Sequence, residues 1–158
     1  MIMGIRRCAA GAMAALALTG AGAASAPAWA LEPFAVAGPV VTRHETTIRG
    51  QRIAYTATAG ETVLRNDRDE PIATLYSFAY IKTNGAPDRP VMFVFNGGPG
   101  SSSVWLHMGV VGPRRVQLDR EVNPSNVPPF GVVDNPDSLL DVADLVFIDP
   151  VGTGFSRI

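Results

Sequence analysis

Between Val91 and Ser103 the chain reads Val-Met-Phe-Val-Phe-Asn-Gly-Gly-Pro-Gly-Ser-Ser-Ser, and the polar half of that stretch has residue types suited to chemistry. Gly97 and Gly98 remove the Cβ atoms where a ligand must come close to the main chain, and Pro99-Gly100 turns the chain before Ser101, Ser102 or Ser103 caps a helix. N–H groups at such a strand end and helix start point outward and favour an anion. Two chemistries use this arrangement. Phosphate binding asks for G-x-x-x-x-G-K-[ST] or G-x-G-x-x-G, but neither spacing occurs and the only lysine, Lys82, precedes the strand. An oxyanion hole needs one or two fixed N–H donors at a strand end, and that reading fits better.

The elements that must position this turn follow from the apolar runs. Val91 to Phe95 is too short for a helix and reads as a strand buried on both faces, as in a parallel sheet covered by helices. Asp144 to Asp149 encloses a second apolar run, Leu145-Val146-Phe147-Ile148. Strand, long crossover and strand predict a right-handed parallel pair, so that Asn96 to Gly98 and Asp149 to Gly154 share one lip, where ligands of open α/β sheets bind. Ser102 to Val110 is expected to form a short helix with Trp105, Met108 and Val104 facing inward, ended by Gly112-Pro113. Arg114 to Gln117 reads as strand-like, Asn123 to Phe130 as loop, and Asn135 to Leu140 as a turn leading back inside.

Upstream, Thr46 to Ile48 and Ile53 to Thr58 predict one hairpin around Arg49-Gly50-Gln51, with Ile53, Tyr55 and Ala57 on one face. Glu61 to Leu64 and Pro71 to Lys82 predict a second, across the charged turn Arg65 to Asp69. Met1 to Ala30 reads as a signal peptide: Arg6 and Arg7, a small apolar stretch from Ala9 to Ala24, then Ala28-Trp29-Ala30 as an A-x-A cleavage signal. The expectation is an exported protein without a stable membrane anchor. Cys8, the one cysteine, leaves with that segment, so no disulfide forms. Removing Arg6 and Arg7 lowers the basic count from 13 to 11, against 14 acidic residues. That balance, without basic clusters, excludes nucleic acid as the expected partner.

Asn96 to Ser103 with Gly112-Pro113, then Asn135-Pro136-Asp137-Ser138, then Asp149-Pro150-Val151-Gly152-Thr153-Gly154-Phe155-Ser156 resemble, in order, the serine carboxypeptidase family of α/β-hydrolases. The resemblance implies an α/β fold, with antiparallel hairpins leading into a parallel sheet, and makes residues 31–158 the N-terminal part of such a domain. It implies that the Gly98 N–H is one oxyanion-hole donor and that Asn96 and the Gly97 N–H bind the substrate's terminal carboxylate. The reaction implied is removal of C-terminal residues from peptides by acyl transfer to a serine, with no metal or organic cofactor.

No G-x-S-x-G elbow occurs in the sequence. Gly154-Phe155-Ser156-Arg157-Ile158 has isoleucine at the second glycine, so Ser156 is not the expected nucleophile. His44 and His107 precede any plausible elbow and are expected to be surface or packing residues. The sequence therefore reads as an incomplete hydrolase, with the triad beyond Ile158 and no activity alone. Three departures from the family pattern matter. Ser101 stands where a disulfide-bonded cysteine is common, Val110 replaces a glutamate that helps hold the carboxylate, and no glutamine separates Asp149 from Pro150. Two alternatives stay open: an aminopeptidase of the proline-iminopeptidase type, and an exported binding module without a triad.

Overall fold

The computed structural model describes residues 36–117 and 131–158. The expected signal peptide at 1–30 and the loop at 123–130 lie outside the described residues. The main sheet has five strands in the order β1-β2-β3-β7-β4, where β1 is Val40–Ile48, β2 Gln51–Arg65, β3 Pro71–Lys82, β4 Val91–Val94 and β7 Asp144–Asp149. Neighbours run antiparallel except β4 and β7, which are parallel, so the sheet is mixed and mostly strand-built. A two-stranded sheet joins β5 (Arg114–Val116) to β6 (Val132–Asp134).

The first hairpin closes through Arg49 and Gly50, both at positive φ (46° and 78°), the conformation of a two-residue type I′ turn that matches strand twist. Beyond it the second expected hairpin also forms, and the two hairpins share one continuous strand. β2 is one strand of 15 residues that pairs with β1 over residues 51–59 and with β3 over residues 55–65. Gly60 sits inside that strand, paired with Ser77, and a Cβ there would stand only 3.1 Å from Pro39 Cβ.

The core forms where Ile48, Ile53, Tyr55, Val94, Leu140, Leu145 and Phe147 meet, with Leu106 and Val111 packed against them. β7 lies between β3 and β4 and buries every second residue: Leu145, Phe147 and Asp149. β4 departs from expectation. It is an edge strand, with Phe93 63 % and the following Phe95 60 % exposed and only Val94 buried. An apolar run specifies a strand, but neighbours decide how many faces are covered. Among the described residues, β4 has a partner on one side only.

Candidate active site

The parallel register pairs Val94 with Phe147, so both strands end at the same lip and the two loops leave side by side. On the β4 side, Ser101 N–H donates to Gly98 O across 3.4 Å, with Pro99 and Gly100 (φ 82°) between them. Proline at the second position and glycine at positive φ at the third make this a type II turn. Gly98 itself has φ 84°, and nothing stands within 4 Å of a Cβ built on Gly97, Gly98 or Gly100. Among the described residues nothing accepts a hydrogen bond from the amide of Gly97 or Gly98. Asn96 donates from Nδ2 to Ser101 Oγ (3.4 Å), and its Oδ1 is buried without a donor among the described residues.

Asp149 ties the two loops together. Its Oδ1 accepts from the Ser103 amide (2.8 Å) and hydroxyl (2.7 Å), and its Oδ2 accepts from the Phe155 amide (3.2 Å). Ser103 does occupy the position before helix α1 (Val104–Leu106), but its hydroxyl bonds Asp149 and makes no capping bond. The expected capping role is therefore corrected: a neighbouring strand's carboxylate satisfies the helix start. Ser156 is also committed. Its hydroxyl donates to Asp149 O (2.6 Å) and accepts from Tyr76 N–H (2.7 Å), which leaves it no free proton for nucleophilic attack.

After α1 the chain widens into a π-helical turn, His107–Val111, in which Gly112 N–H donates to His107 O (3.2 Å). The predicted inward face was misassigned: Trp105 is 71 % exposed and Val104 also faces solvent, whereas His107 is buried. The His107 ring stacks on Phe147 (centroids 4.5 Å apart) and lies 4.8 Å from Phe78, with Nε2 2.5 Å from the Tyr80 hydroxyl. Burial lowers the imidazole pKa to about 4, against the opposing pull of the Asp149 charge. Desolvation likewise pushes the Tyr80 phenol up to about 12. Packing was thus the right role for His107. His44 lies on β1, at the far edge of the sheet, stacked on Tyr55.

The Asn-Pro-Asp-Ser motif closes the other end of this turn. Asn135 Nδ2 donates to Val110 O and Gly112 O (both 2.8 Å), and Ser138 Oγ donates to Val111 O (2.8 Å). These carbonyls would otherwise end a helix unpaired. Asn135 is a supporting residue that motif spacing alone did not assign. A cleft of about 390 Å³ opens beneath the lip between Phe78, Ser103, His107, Met108, Asp149 and Phe155. Val110 is 58 % exposed. Among the described residues there is no group of three metal-ligating side chains, and no helix is long and apolar enough to cross a membrane.

Residues 66–157 match the sequence profile of a family described as "Serine carboxypeptidase". The pheromone-processing carboxypeptidase KEX1 of Saccharomyces cerevisiae, in two strains, is 36 % identical over 105 residues, which is 62 % of this chain and 13 % of the yeast protein. The same protein from a further strain is 38 % identical over 82 residues, covering 51 % and 10 %. The chain therefore spans about an eighth of the length of the curated relatives it matches.

Proposed function

The chain belongs to the serine carboxypeptidase family, whose profile covers more than half of it, and from that premise we propose that it carries the oxyanion side of a serine-type carboxypeptidase built on an α/β-hydrolase fold. The observation that best supports this is the lip itself. The amides of Gly97 and Gly98 lie at the end of a strand parallel to β7, without acceptors among the described residues, on a turn braced by Asp149.

In this reading the Gly98 N–H receives the charge that develops on the scissile carbonyl oxygen, while Asn96 and the Gly97 N–H hold the terminal carboxylate of a peptide substrate. A serine oxygen attacks the carbonyl carbon and its proton passes to a histidine. The C–N bond then breaks as that proton moves to the leaving amine, and water cleaves the acyl ester to regenerate the serine. The serine, acid and histidine are supplied by residues outside this sequence, which contains no G-x-S-x-G. No step uses a metal or organic cofactor. Residues 1–30 act as a signal for export. Val110 cannot hydrogen-bond a carboxylate, so the grip on substrate falls on Asn96 and Gly97, and no carboxyl group at this position has to be protonated for binding.

The test is hydrolysis by the full-length protein encoded by this gene. Release of the C-terminal amino acid from N-blocked dipeptides, abolished by a serine-directed organophosphate, is expected. Release of the N-terminal residue from C-blocked dipeptides would favour an aminopeptidase, and no turnover of either a binding module.

A further inference from the structure

Among the described residues β1 pairs with β2 alone, so its other side is an open sheet edge. Which residues offer their main-chain groups there follows from the ladder. The two-residue turn at Arg49-Gly50 makes Ile48 and Gln51 a hydrogen-bonded pair, and bonded and non-bonded pairs alternate from there. The Ala54 carbonyl, opposite Glu45, accepts from the Thr83 N–H (2.8 Å) on the β3 side, so Ala54 and Glu45 form a non-bonded pair, as that alternation requires. The N–H and C=O groups of Val41, Arg43, Glu45 and Thr47 therefore point to the open edge, and all four residues are exposed.

A second β1 laid antiparallel on this edge forms a ladder only by setting these odd-numbered residues against one another, and their charges choose the register. Centred on Arg43 the pairing sets arginine against arginine, and centred on Glu45 it sets glutamate against glutamate. Centred on His44 it sets Arg43 opposite the partner's Glu45 and Glu45 opposite the partner's Arg43, with Val41 and Thr47 meeting at each end. Opposite charges directly across a ladder stabilise it, and like charges destabilise it. Larger shifts shorten the ladder and lose both pairs. Arg52 already donates to Glu45, but to Oε2 alone, so Oε1 can take the second guanidinium. We infer that β1 is a dimerisation edge: two copies of this chain pair β1 to β1, antiparallel and centred on His44, through two reciprocal Arg43–Glu45 pairs. The same patch serves both copies, so the contact closes at two.

The experiment is sedimentation equilibrium of the full-length protein, in which a dimer is expected. Arg43→Glu and Glu45→Arg each turn both cross-strand pairs into like charges and should raise the dimer dissociation constant at least about tenfold. Combining the two substitutions restores opposite charges and should recover the dimer, a rescue that a folding defect does not give. Cysteines read the register. The two His44 residues form a non-bonded pair with Cα atoms about 4.5 Å apart, within reach of a disulfide, so His44→Cys should cross-link two copies on oxidation. The two cysteines of a Thr42→Cys dimer would lie about 14 Å apart along the strands and should not cross-link. A wild type that is monomeric at micromolar concentrations would overturn the inference. So would a dimer indifferent to both single reversals, a double variant no better than either, or Thr42→Cys cross-linking as readily as His44→Cys.

Discussion

Asp149 and Ser103 are joined twice through one oxygen: Oδ1 of the aspartate accepts both the amide and the hydroxyl of the serine, at 2.8 and 2.7 Å. The aspartate ends β7 and the serine stands just before α1, so this pair of hydrogen bonds fixes the glycine turn relative to the sheet. Both side chains are buried, Asp149 with 2 % of its surface exposed. Asp149→Ala leaves the Ser103 and Phe155 amides without their acceptor in a dry setting. We expect a loss of about 3 kcal/mol in stability, the scale for removing charge-assisted bonds to buried donors. Asp149→Asn should lose less, about 1–2 kcal/mol, because one oxygen remains for Ser103 while NH₂ faces the Phe155 N–H. Urea unfolding of the two variants checks the order.

Gly98 and Gly154 should fail differently when replaced by alanine. At Gly98 a Cβ meets nothing within 4 Å, so the penalty is the positive φ of 84° alone, about 1–2 kcal/mol. Activity should fall much further, on the order of a hundredfold, because relaxing φ re-aims the proposed oxyanion donor. At Gly154 a Cβ would lie 2.9 Å from Ser102 Cβ and inside the Asp149 carboxylate, its closest approach to that group being no more than 2.6 Å from Cγ. That clash attacks the clasp itself, and a stability loss of at least about 3 kcal/mol is expected. Unfolding midpoints that do not separate the two variants would contradict this division.

Much of this arrangement was legible in the residues. The parallel pair, the shared lip and the turn chemistry of Arg49-Gly50 and Pro99-Gly100 follow from apolar runs and glycine placement. Other readings went astray for physical reasons. The apolar run Val91 to Phe95 reads as a strand covered on both faces, yet β4 has a neighbour on one side only among the described residues, and Phe93 and Phe95 face solvent. Helical spacing put Trp105 and Val104 inward, yet both face solvent. The π-helical turn holds more residues per turn, so each is rotated less about the axis than helical spacing assumes, and the Ser103–Asp149 clasp fixes the start of α1 just before it, which together bring His107 inside. No local pattern announces a carboxylate 46 residues away.

Arg89 is the corresponding brace at the other end of β7. Its guanidinium donates to Asp144 Oδ1 (3.2 Å), Asp141 O (3.1 Å) and Leu140 O (2.9 Å), with side chains 11 % and 15 % exposed in the Arg89–Asp144 pair. A single ammonium cannot reach three acceptors with that fork. Arg89→Lys should therefore lose about 1–2 kcal/mol, and Arg89→Ala about 3 kcal/mol, since it leaves a nearly buried carboxylate unpaired. The Arg52–Glu45 pair is 78 % and 51 % exposed, and its removal should leave the melting temperature unchanged within error. Thermal unfolding of the three variants tests the contrast. A melting temperature as sensitive to Arg52 as to Arg89 would refute it.

His107 should make the fold acid-sensitive. Its pKa falls from 6.5 to about 4 on folding, chiefly because burial disfavours the charged ring, and the nearby titratable groups are Tyr80 from β3 and Asp149 from β7. Between pH 6.5 and 4 the unfolded chain binds a proton that the folded chain refuses. Stability from this group is thus complete above pH 6.5, declines as pH falls, and levels off below about pH 4. A shift of this size corresponds to about 3 kcal/mol over the window. His107→Leu keeps a packed apolar side chain but leaves the Tyr80 hydroxyl without a partner, so it should begin less stable at pH 7 by about 1–2 kcal/mol. It should also lose that part of the acid slope, so that the two unfolding free energies cross between pH 6.5 and 4 and the variant is the more stable by about 1–2 kcal/mol near pH 4. Parallel pH profiles for the two proteins would mean that His107 accepts its proton without leaving the cage formed by Phe78, Tyr80 and Phe147.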